Sequence, residues 1–167
     1  MEQRIKKLAQ EANKKNPDFK KLIRNLKKKT PKNFDYLMQE IHEEVFTKID
    51  CLTCANCCKT TSPIITEKDL ERIAKHLRMK PAEFIDKYLK KDTDGLWMFT
   101  QTPCVFLDRD NYCLIYEVRP KACREYPHLD RKKNHQLLHL HQKNASICPA
   151  VFDALEILEK KTIHKKK

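Results

Sequence analysis

The chain has 167 residues, of which 40% are hydrophobic and 35% are charged, and its formal net charge is +12 at pH 7. This length fits a single domain with a modest apolar core and an appendage. No apolar run is long enough for a secretion signal or a membrane span, so we expect a cytoplasmic protein that does not bind a membrane.

The positive charge is concentrated at the two ends of the sequence. Residues 1–33 carry 12 Lys and Arg against 3 Asp and Glu, and residues 159–167 carry 5 against 1, which leaves residues 34–158 with 18 against 19. Basic arms can bind nucleic acid or acidic lipid, but solvated helix faces explain the same pattern. We favour solvated faces, so nucleic acid bound through the basic N-terminus stays an alternative.

The first 47 residues predict a helical extension. Apolar residues recur at helical spacing over residues 2–12. Asn16-Pro17 supplies a cap and a first-turn proline for a second helix, and Thr30-Pro31 repeats this signal for a third helix that reaches Phe46. Three helices with short connections are expected to pack against one another.

The segment that follows the cysteine-rich run predicts shorter elements. Thr66, with Asp69 three residues later, forms a capping pattern that opens one helix. Pro81 opens the next helix, because proline suits the first helical position. Residues 96–100 are predicted as a strand.

The second half of the chain combines turns with two further helices. Residues 104–116 predict a β-hairpin whose turn places Asn111 or Asp110 at unusual backbone angles. Residues 119–126 predict a short helix that stops before a proline, and Cys148-Pro149 opens the last helix.

The fold class follows from these elements. Residues 135–142 suit a strand and a helix equally, but the chain holds a single glycine, which disfavours a strand-rich fold with many tight turns. We therefore predict a predominantly helical α+β protein. Its expected parts are a basic helical extension (1–47), a cysteine-cluster metal-binding domain (48–160) and a disordered basic tail (161–167).

Eight cysteines carry the strongest functional signal. Four of them stand within eight residues, and the others lie in segments rich in turns and charges rather than in apolar stripes. Thiols stay reduced in the cytosol, and thiolates suit zinc, iron–sulfur clusters and copper(I), so metal binding is favoured over disulfides. We predict a metal-ligand role for Cys51, Cys54, Cys57, Cys58, Cys104, Cys113, Cys123 and Cys148.

The spacing of the cysteines suggests two centres. Two CxxC steps in series and a distant Cys-Pro are typical of bacterial ferredoxins, which assigns one centre to Cys51, Cys54, Cys57 and Cys148. The second centre then takes Cys58, Cys104, Cys113 and Cys123, although eight cysteines allow many other groupings. The pattern favours an iron–sulfur cluster of the [4Fe–4S] type, and zinc is almost equally well supported.

Such centres require positive charge around them. Four thiolates leave a net charge of −2 on Zn²⁺ or on a [4Fe–4S]²⁺ cluster, and neighbouring cations or hydrogen-bond donors offset it. Among the cations close in sequence to the cysteines we favour Arg119 and Arg124 for this role. Glu117 and Arg119 could equally form a structural ion pair.

Several motifs of the chain occur together in one known family. They are the CxxCxxCC run, the Cys104–Cys113 hairpin, the segment IYEVRPKACREYP at 115–127, and the Ser146–Pro149 step. In this combination the chain resembles the YkgJ-type cysteine-cluster family, a family described as chelating zinc or iron. The resemblance covers about residues 50–155. It implies a bacterial cytosolic metalloprotein and a ligand role for all eight cysteines.

The cysteine pattern is also similar to that of flagellin lysine N-methylase, which is thought to carry an iron–sulfur cluster. The present chain is short and lacks a glycine-rich loop that would hold S-adenosylmethionine, so methylase activity is not implied.

The sequence therefore predicts a metal-chelating protein whose centre is structural or electron-carrying. One alternative is a metal-dependent enzyme related to the methylase, with polar groups near the metal from Tyr116, Glu117, Tyr126 and His128. A second is a nucleic-acid-binding module with basic arms, and a third is redox sensing through the Cys57–Cys58 pair. Whether the protein is an enzyme is left open at this stage.

Overall fold

The computed structural model describes residues 1–163. Its helices are α1 (Glu2–Lys28), α2 (Phe34–Phe46), α3 (Cys51–Cys54), α4 (Asn56–Thr60), α5 (Glu67–His76), α6 (Pro81–Tyr88), α7 (Lys121–Glu125), α8 (Leu138–Asn144) and α9 (Pro149–Ile163). Its strands are β1 (Ile64–Ile65), β2 (Leu89–Lys91) and β3 (Trp97–Phe99). Short 3₁₀ turns cover Tyr116–Val118 and Asn134–Leu137.

These elements form two compact units. The helical unit comprises residues 1–54 together with the chain from Pro127 onward, and the sheet unit comprises residues 55–126. The division into residues 1–47 and 48–160 is a different one and stays a prediction about domains. Of the predicted tail, residues 161–163 continue α9, and residues 164–167 lie outside the described part.

The predicted fold class is confirmed, since the chain is predominantly helical with a small antiparallel sheet. Within the described residues, no helix combines the length and the apolar character needed to cross a membrane.

The first helix does not break where the sequence suggested. Pro17 lies inside α1, so the prediction that Asn16-Pro17 starts a second helix is wrong. The buried face of α1 continues across the proline, from Leu8 and Ala12 to Phe19, whose ring contacts the Phe152 ring at 5.7 Å between centroids. An interior proline costs a helix about 3 kcal/mol. We infer that burial of this continuous face against α8 and α9 outweighs that cost.

A buried polar cluster fixes the segment before α8. The carboxylate of Asp35 accepts the backbone N–H of Asn134 at 2.9 Å, and the Asn134 side chain donates to the carbonyl of Leu129 at 2.9 Å. Nε2 of His141 lies 2.8 Å from Oδ1 of Asn134. Burial lowers the pKa of His141 to about 4, so this ring is neutral at pH 7. The cluster explains why residues 135–142, which suited strand and helix equally, form a 3₁₀ turn followed by α8.

The sheet unit is built around three short antiparallel strands in the order β1–β3–β2. Ile64 and Ile65 pair with Met98 and Trp97, and Leu89 pairs with Phe99. The helices α5 and α6 complete an apolar core whose buried members are Ile65, Leu70, Ile73, Ala74, Phe84, Leu89, Phe99, Phe106 and Ile115. The strand predicted at 96–100 and the helices opened by Thr66 and Pro81 are all present.

The hairpin predicted for residues 104–116 is reduced to a loop with a single bridge between Leu107 and Cys113. Asn111 takes the left-handed backbone angle that the sequence suggested, with φ of 64°. The backbone N–H of Cys104 donates to the carbonyl of Cys58 at 2.8 Å. Because this donor is used outside the hairpin, the first arm does not extend into a paired strand.

Asp69 is the polar centre of the sheet unit and is only 1% exposed. It closes a capping box with Thr66 at the start of α5, as the sequence predicted. Its carboxylate also accepts a hydrogen bond from Arg72 at 2.6 Å and from the backbone N–H of Lys121 at 3.0 Å. Arg72 in turn donates to the carbonyl of Arg119 at 3.0 Å. One carboxylate therefore connects α5 to the segment that leads into α7.

We expect Asp69→Ala to lower the free energy of unfolding by about 3 kcal/mol, because it removes a helix cap and leaves buried donors without an acceptor. Urea denaturation measures the change. Asp86→Ala is the matched control, since Asp86 is exposed on α6, and it should change the free energy by less than about 0.5 kcal/mol. Equal effects of the two substitutions would contradict the role of Asp69.

The contribution of Asp69 to the free energy of unfolding should also depend on pH. Burial alone would raise the pKa of Asp69, but the hydrogen bonds from Thr66, Arg72 and Lys121 outweigh it and lower the pKa. A carboxyl whose folded-state pKa is lowered stabilises the protein above its unfolded pKa of about 3.9. The difference between the parent protein and Asp69→Ala should therefore be full at neutral pH and shrink as the pH falls below that value.

Candidate metal centre

Three of the eight cysteines belong to the helical unit. Asp50 holds the turn that carries the first two, since its carboxylate accepts the backbone N–H of Leu52 at 2.9 Å and its carbonyl accepts that of Cys54 at 3.2 Å. Cys51 is exposed, whereas Cys54 is buried. The third, Cys148, is buried at the start of α9.

Cys148 lies within electrostatic reach of the other two thiols. Burial, with smaller contributions from Cys51 and Cys54, raises the pKa of Cys148 to about 11. The backbone N–H groups of Val151 and Ala150, in the first turn of α9, donate to the sulfur and act in the opposite direction. The sulfur is therefore set at a helix N-terminus, a position that favours a thiolate over a neutral thiol.

The other five cysteines belong to the sheet unit. Ala55 precedes α4 with a left-handed backbone (φ of 46°), and Cys57 and Cys58 then follow on this single helical turn. The Cys57 thiol donates a hydrogen bond to the Cys58 sulfur, which lowers the pKa of Cys58 to about 7 against the opposing effect of burial. Lys59 lowers it slightly more.

Three distant cysteines lie within electrostatic reach of Cys58. Burial, with smaller contributions from Cys58 and Cys113, raises the pKa of Cys104 to about 11. Burial, with smaller contributions from Cys58, Cys104 and Cys113, raises the pKa of Cys123 to about 12. The pKa of Cys113 is also raised, first by burial and then by Cys58. The fold thus brings together four thiols that are separated by up to 65 positions in the sequence.

The thiols are near one another without being in coordinating positions. Across residues 1–163, no three side chains of His, Cys, Asp or Glu are placed so that they could hold one metal ion. The donor set itself suits zinc or iron, since it is sulfur-rich and, apart from the exposed Cys51, partly or fully buried. Binding an ion would require the four sulfurs of the sheet unit to move closer together.

The two arginines that the sequence favoured are placed differently. Arg119 lies with its guanidinium carbon 3.8 Å from the centroid of the Tyr116 ring, and its Nη1 donates to the Tyr116 carbonyl at 2.7 Å. Its charge lowers the pKa of both Cys113 and Cys123. Arg124 is exposed and donates to the carbonyl of Arg119 at 3.4 Å. Arg119 therefore lowers the pKa of two of the thiols, whereas Arg124 contributes to none of the pKa shifts described above.

The alternative of an ion pair between Glu117 and Arg119 is not formed in the described part of the chain. Sequence reasoning missed the residues that hold Arg119 in place, namely Asp69 and Arg72. The capping pattern at Thr66 was a signal for Asp69, but nothing in one sequence indicates that Arg72 reaches a carbonyl 47 positions away.

Clustered thiols with a cation beside them define the class of cysteine-cluster, metal-chelating domains. Residues 50–149 match the CxxCxxCC family, described as "Putative zinc- or iron-chelating domain", and the chain belongs to this family. The resemblance inferred from the motifs is confirmed.

Comparison with curated proteins adds a relative without an assigned role. An "Uncharacterized protein" of Methanocaldococcus jannaschii is 32% identical over 90 residues, which are 52% of this chain and 48% of that protein. The match therefore spans about half the length of the curated relative. No solved structure matches the chain.

We expect Arg119→Gln to weaken metal binding by about tenfold at pH 7, because the loss of a cation beside the thiols raises the pKa of Cys113 and Cys123. Competition with a chromophoric chelator measures the affinity. Arg124→Gln removes the same charge from an exposed position nearby and should change the affinity by less than about twofold. An equal loss in both variants would show that net charge, and not the position of Arg119, controls binding.

Proposed function

We propose that this protein chelates metal through two thiolate centres, one for each compact unit. The centre of the sheet unit takes Cys58, Cys104, Cys113 and Cys123. Cys51, Cys54 and Cys148 of the helical unit belong to the other. The observation that carries this proposal is that burial, together with neighbouring sulfurs of the same group, raises the pKa of Cys104, Cys123 and Cys148.

A thiol with a raised pKa needs a strong cation to ionise it. Burying sulfur among other sulfurs is unfavourable for thiolates unless positive charge arrives with them. A bound metal ion supplies that charge, and Arg119 and Lys59 contribute a smaller share from the protein. Small apolar packing would explain one isolated cysteine, but it does not explain four that converge from 58 to 123.

Cys57 has a separate position in this scheme. The sequence assigned it to the centre with Cys51, Cys54 and Cys148, and that assignment stays a prediction. Its thiol donates to Cys58 and lowers the pKa of that neighbour. In the metal-free protein Cys57 therefore favours ionisation of Cys58, and it gives up this hydrogen bond if its own sulfur binds a metal as a thiolate.

For the identity of the metal we propose an iron–sulfur cluster at the centre that includes Cys148. Support comes from the serial CxxC steps and the Cys-Pro at the start of α9, which are typical of cluster-binding loops. Hydrogen bonds from the backbone of Ala150 and Val151 to the Cys148 sulfur are of the kind that tune cluster potentials. An electron-carrying or a structural role is consistent with this chemistry. Zinc is the competing assignment.

We expect Cys123→Ser and Cys148→Ser each to remove the metal of one centre and to leave that of the other, because each substitution disrupts one of two centres. The double variant should retain essentially none. Anaerobic purification followed by elemental and sulfide analysis gives the stoichiometry, and the visible spectrum separates the metals, since iron–sulfur clusters absorb broadly and zinc has a filled d shell.

Ala122→Ser is the matched control, because it introduces the same hydroxyl one position from Cys123 and should leave the metal content unchanged. Complete loss of metal in each single variant would contradict two independent centres. Unchanged metal content in both variants would contradict the proposal as a whole. Zinc without sulfide would overturn the iron–sulfur assignment and keep the chelating function.

Metal binding should also release protons in a predictable number. Cys104, Cys113 and Cys123 have a raised pKa and are protonated at pH 8, whereas Cys58, with a pKa of about 7, is mostly ionised. In the metal-free Cys148→Ser variant, binding of Zn²⁺ should release about three protons per ion. The apparent affinity should therefore rise by about three powers of ten per pH unit near pH 8. A constant affinity between pH 7 and pH 9 would contradict the thiol assignment.

A further inference from the structure

A groove in the helical unit is lined by positively charged side chains that belong to neither of the proposed metal centres. Residues 19–34 contain seven Lys and Arg and no Asp or Glu. Within this stretch, positions 20, 24, 27 and 28 recur at the spacing of one helix face. These four exposed cations are Lys20, Arg24, Lys27 and Lys28 of α1.

The same cations line a cavity of about 370 Å³ between α1 and α8. Ile23 contributes its buried side chain from α1, and His139 and Gln142 complete the lining from α8. The amide of Gln142 donates to Oδ1 of Asn16 at 2.7 Å, which ties the wall of the cavity to α1. The cavity therefore has a concave shape with a cationic rim.

The charge in this groove is not neutralised by the protein. Elsewhere in the helical unit, Arg4 pairs with Asp153, and Lys15 pairs with Glu156 and Glu159. Among residues 1–163, none of the four groove cations comes within ion-pair distance of a carboxylate.

The contact that Lys27 makes keeps its charge available. Its Nζ lies 2.7 Å from Nε2 of His139. An ammonium group can only donate, so Nε2 of His139 accepts this hydrogen bond. The imidazole ring carries no negative charge, so it does not neutralise Lys27. A concave site with several uncompensated cations attracts a polyanion.

We propose that this groove binds the phosphodiester backbone of single-stranded nucleic acid. The four cations extend over about 12 Å of helix axis, which is longer than a single phosphate group needs. A concave site of about 370 Å³ with these cations at its rim suits the backbone of one strand. Binding of this kind reads the backbone and not the base sequence.

A membrane surface is a poorer occupant for the same helix. Helices that lie on membranes insert exposed apolar residues into the interface. The large apolar residues of α1 from Leu8 to Leu26 are buried, and within the helix none of its large apolar side chains is exposed. The helix therefore presents charged side chains to a ligand, but it has no exposed apolar face that could insert into a membrane.

Fluorescence anisotropy with a labelled single-stranded RNA of about 12 nucleotides, and with DNA of the same sequence, tests the proposal on the full metal-loaded protein. Four phosphate contacts predict a slope of log affinity against log salt of about −3, which is a loss of about 50-fold between about 50 and 200 mM salt. In Arg24→Gln/Lys27→Gln the slope should fall to about −1.5, and the affinity at low salt should fall at least about tenfold.

Two double variants serve as controls. Lys7→Gln/Lys14→Gln removes the same charge from exposed positions of the same helix outside the groove, and it should weaken binding by less than about threefold. Arg24→Lys/Lys27→Arg keeps both charges and should bind like the parent protein. Circular dichroism confirms that each variant retains its helices.

Several outcomes would overturn the proposal. These are absence of binding to both strands, equal loss in the groove and control variants, or complete displacement by millimolar inorganic phosphate at constant ionic strength. Binding to phosphatidylserine vesicles without binding to either strand would assign the groove to a lipid surface instead. Binding that depends on Arg24 and Lys27 and grows with strand length would support it.

Discussion

The burial of clustered sulfur atoms is the constraint on which the rest of this structure depends. Burial raises the pKa of Cys104, Cys113 and Cys123, and the neighbouring Cys58 acts on all three in the same direction. Without added charge they remain thiols, and a bound cation converts them to ligands. The apolar core of the sheet unit is small, so the polar contacts that hold these loops matter more than they would in a larger domain.

Main-chain hydrogen bonds do much of this positioning. Cys104 donates its backbone N–H to the carbonyl of Cys58, and Asp69 with Arg72 holds the segment around Arg119. The backbone of Arg119, the residue whose charge acts on the thiols, is thus held through Arg72 by a carboxylate at the start of α5. This arrangement links helix capping, which is a local property, to the charge around the candidate centre.

Local signals in the sequence predicted local structure well. Thr66, Pro81 and Cys148-Pro149 marked helix starts, and Asn111 marked a left-handed turn, because capping and proline geometry act within a few residues. The prediction that a second helix begins at Pro17 was wrong, since packing of the α1 face against helices distant in sequence outweighs the local cost of a proline inside the helix. The hairpin at 104–116 is shorter than predicted, because the backbone N–H of Cys104 donates to the carbonyl of Cys58. Which cysteines approach one another, and how Arg72 reaches Arg119, depends on tertiary contacts that no spacing rule contains.

The left-handed residues of the chain have a consequence for its loops. In the described residues, five positions other than glycine have positive φ, namely Ala55, Arg78, Asn111, His128 and Lys133. Each tolerates local strain of about 1 kcal/mol or somewhat more. In return, a chain with a single glycine has fewer conformations to lose on folding, so its bends stay ordered at a smaller entropic cost. The bend at Ala55, which comes directly before α4, therefore loses less chain entropy on folding than the same bend at a glycine would.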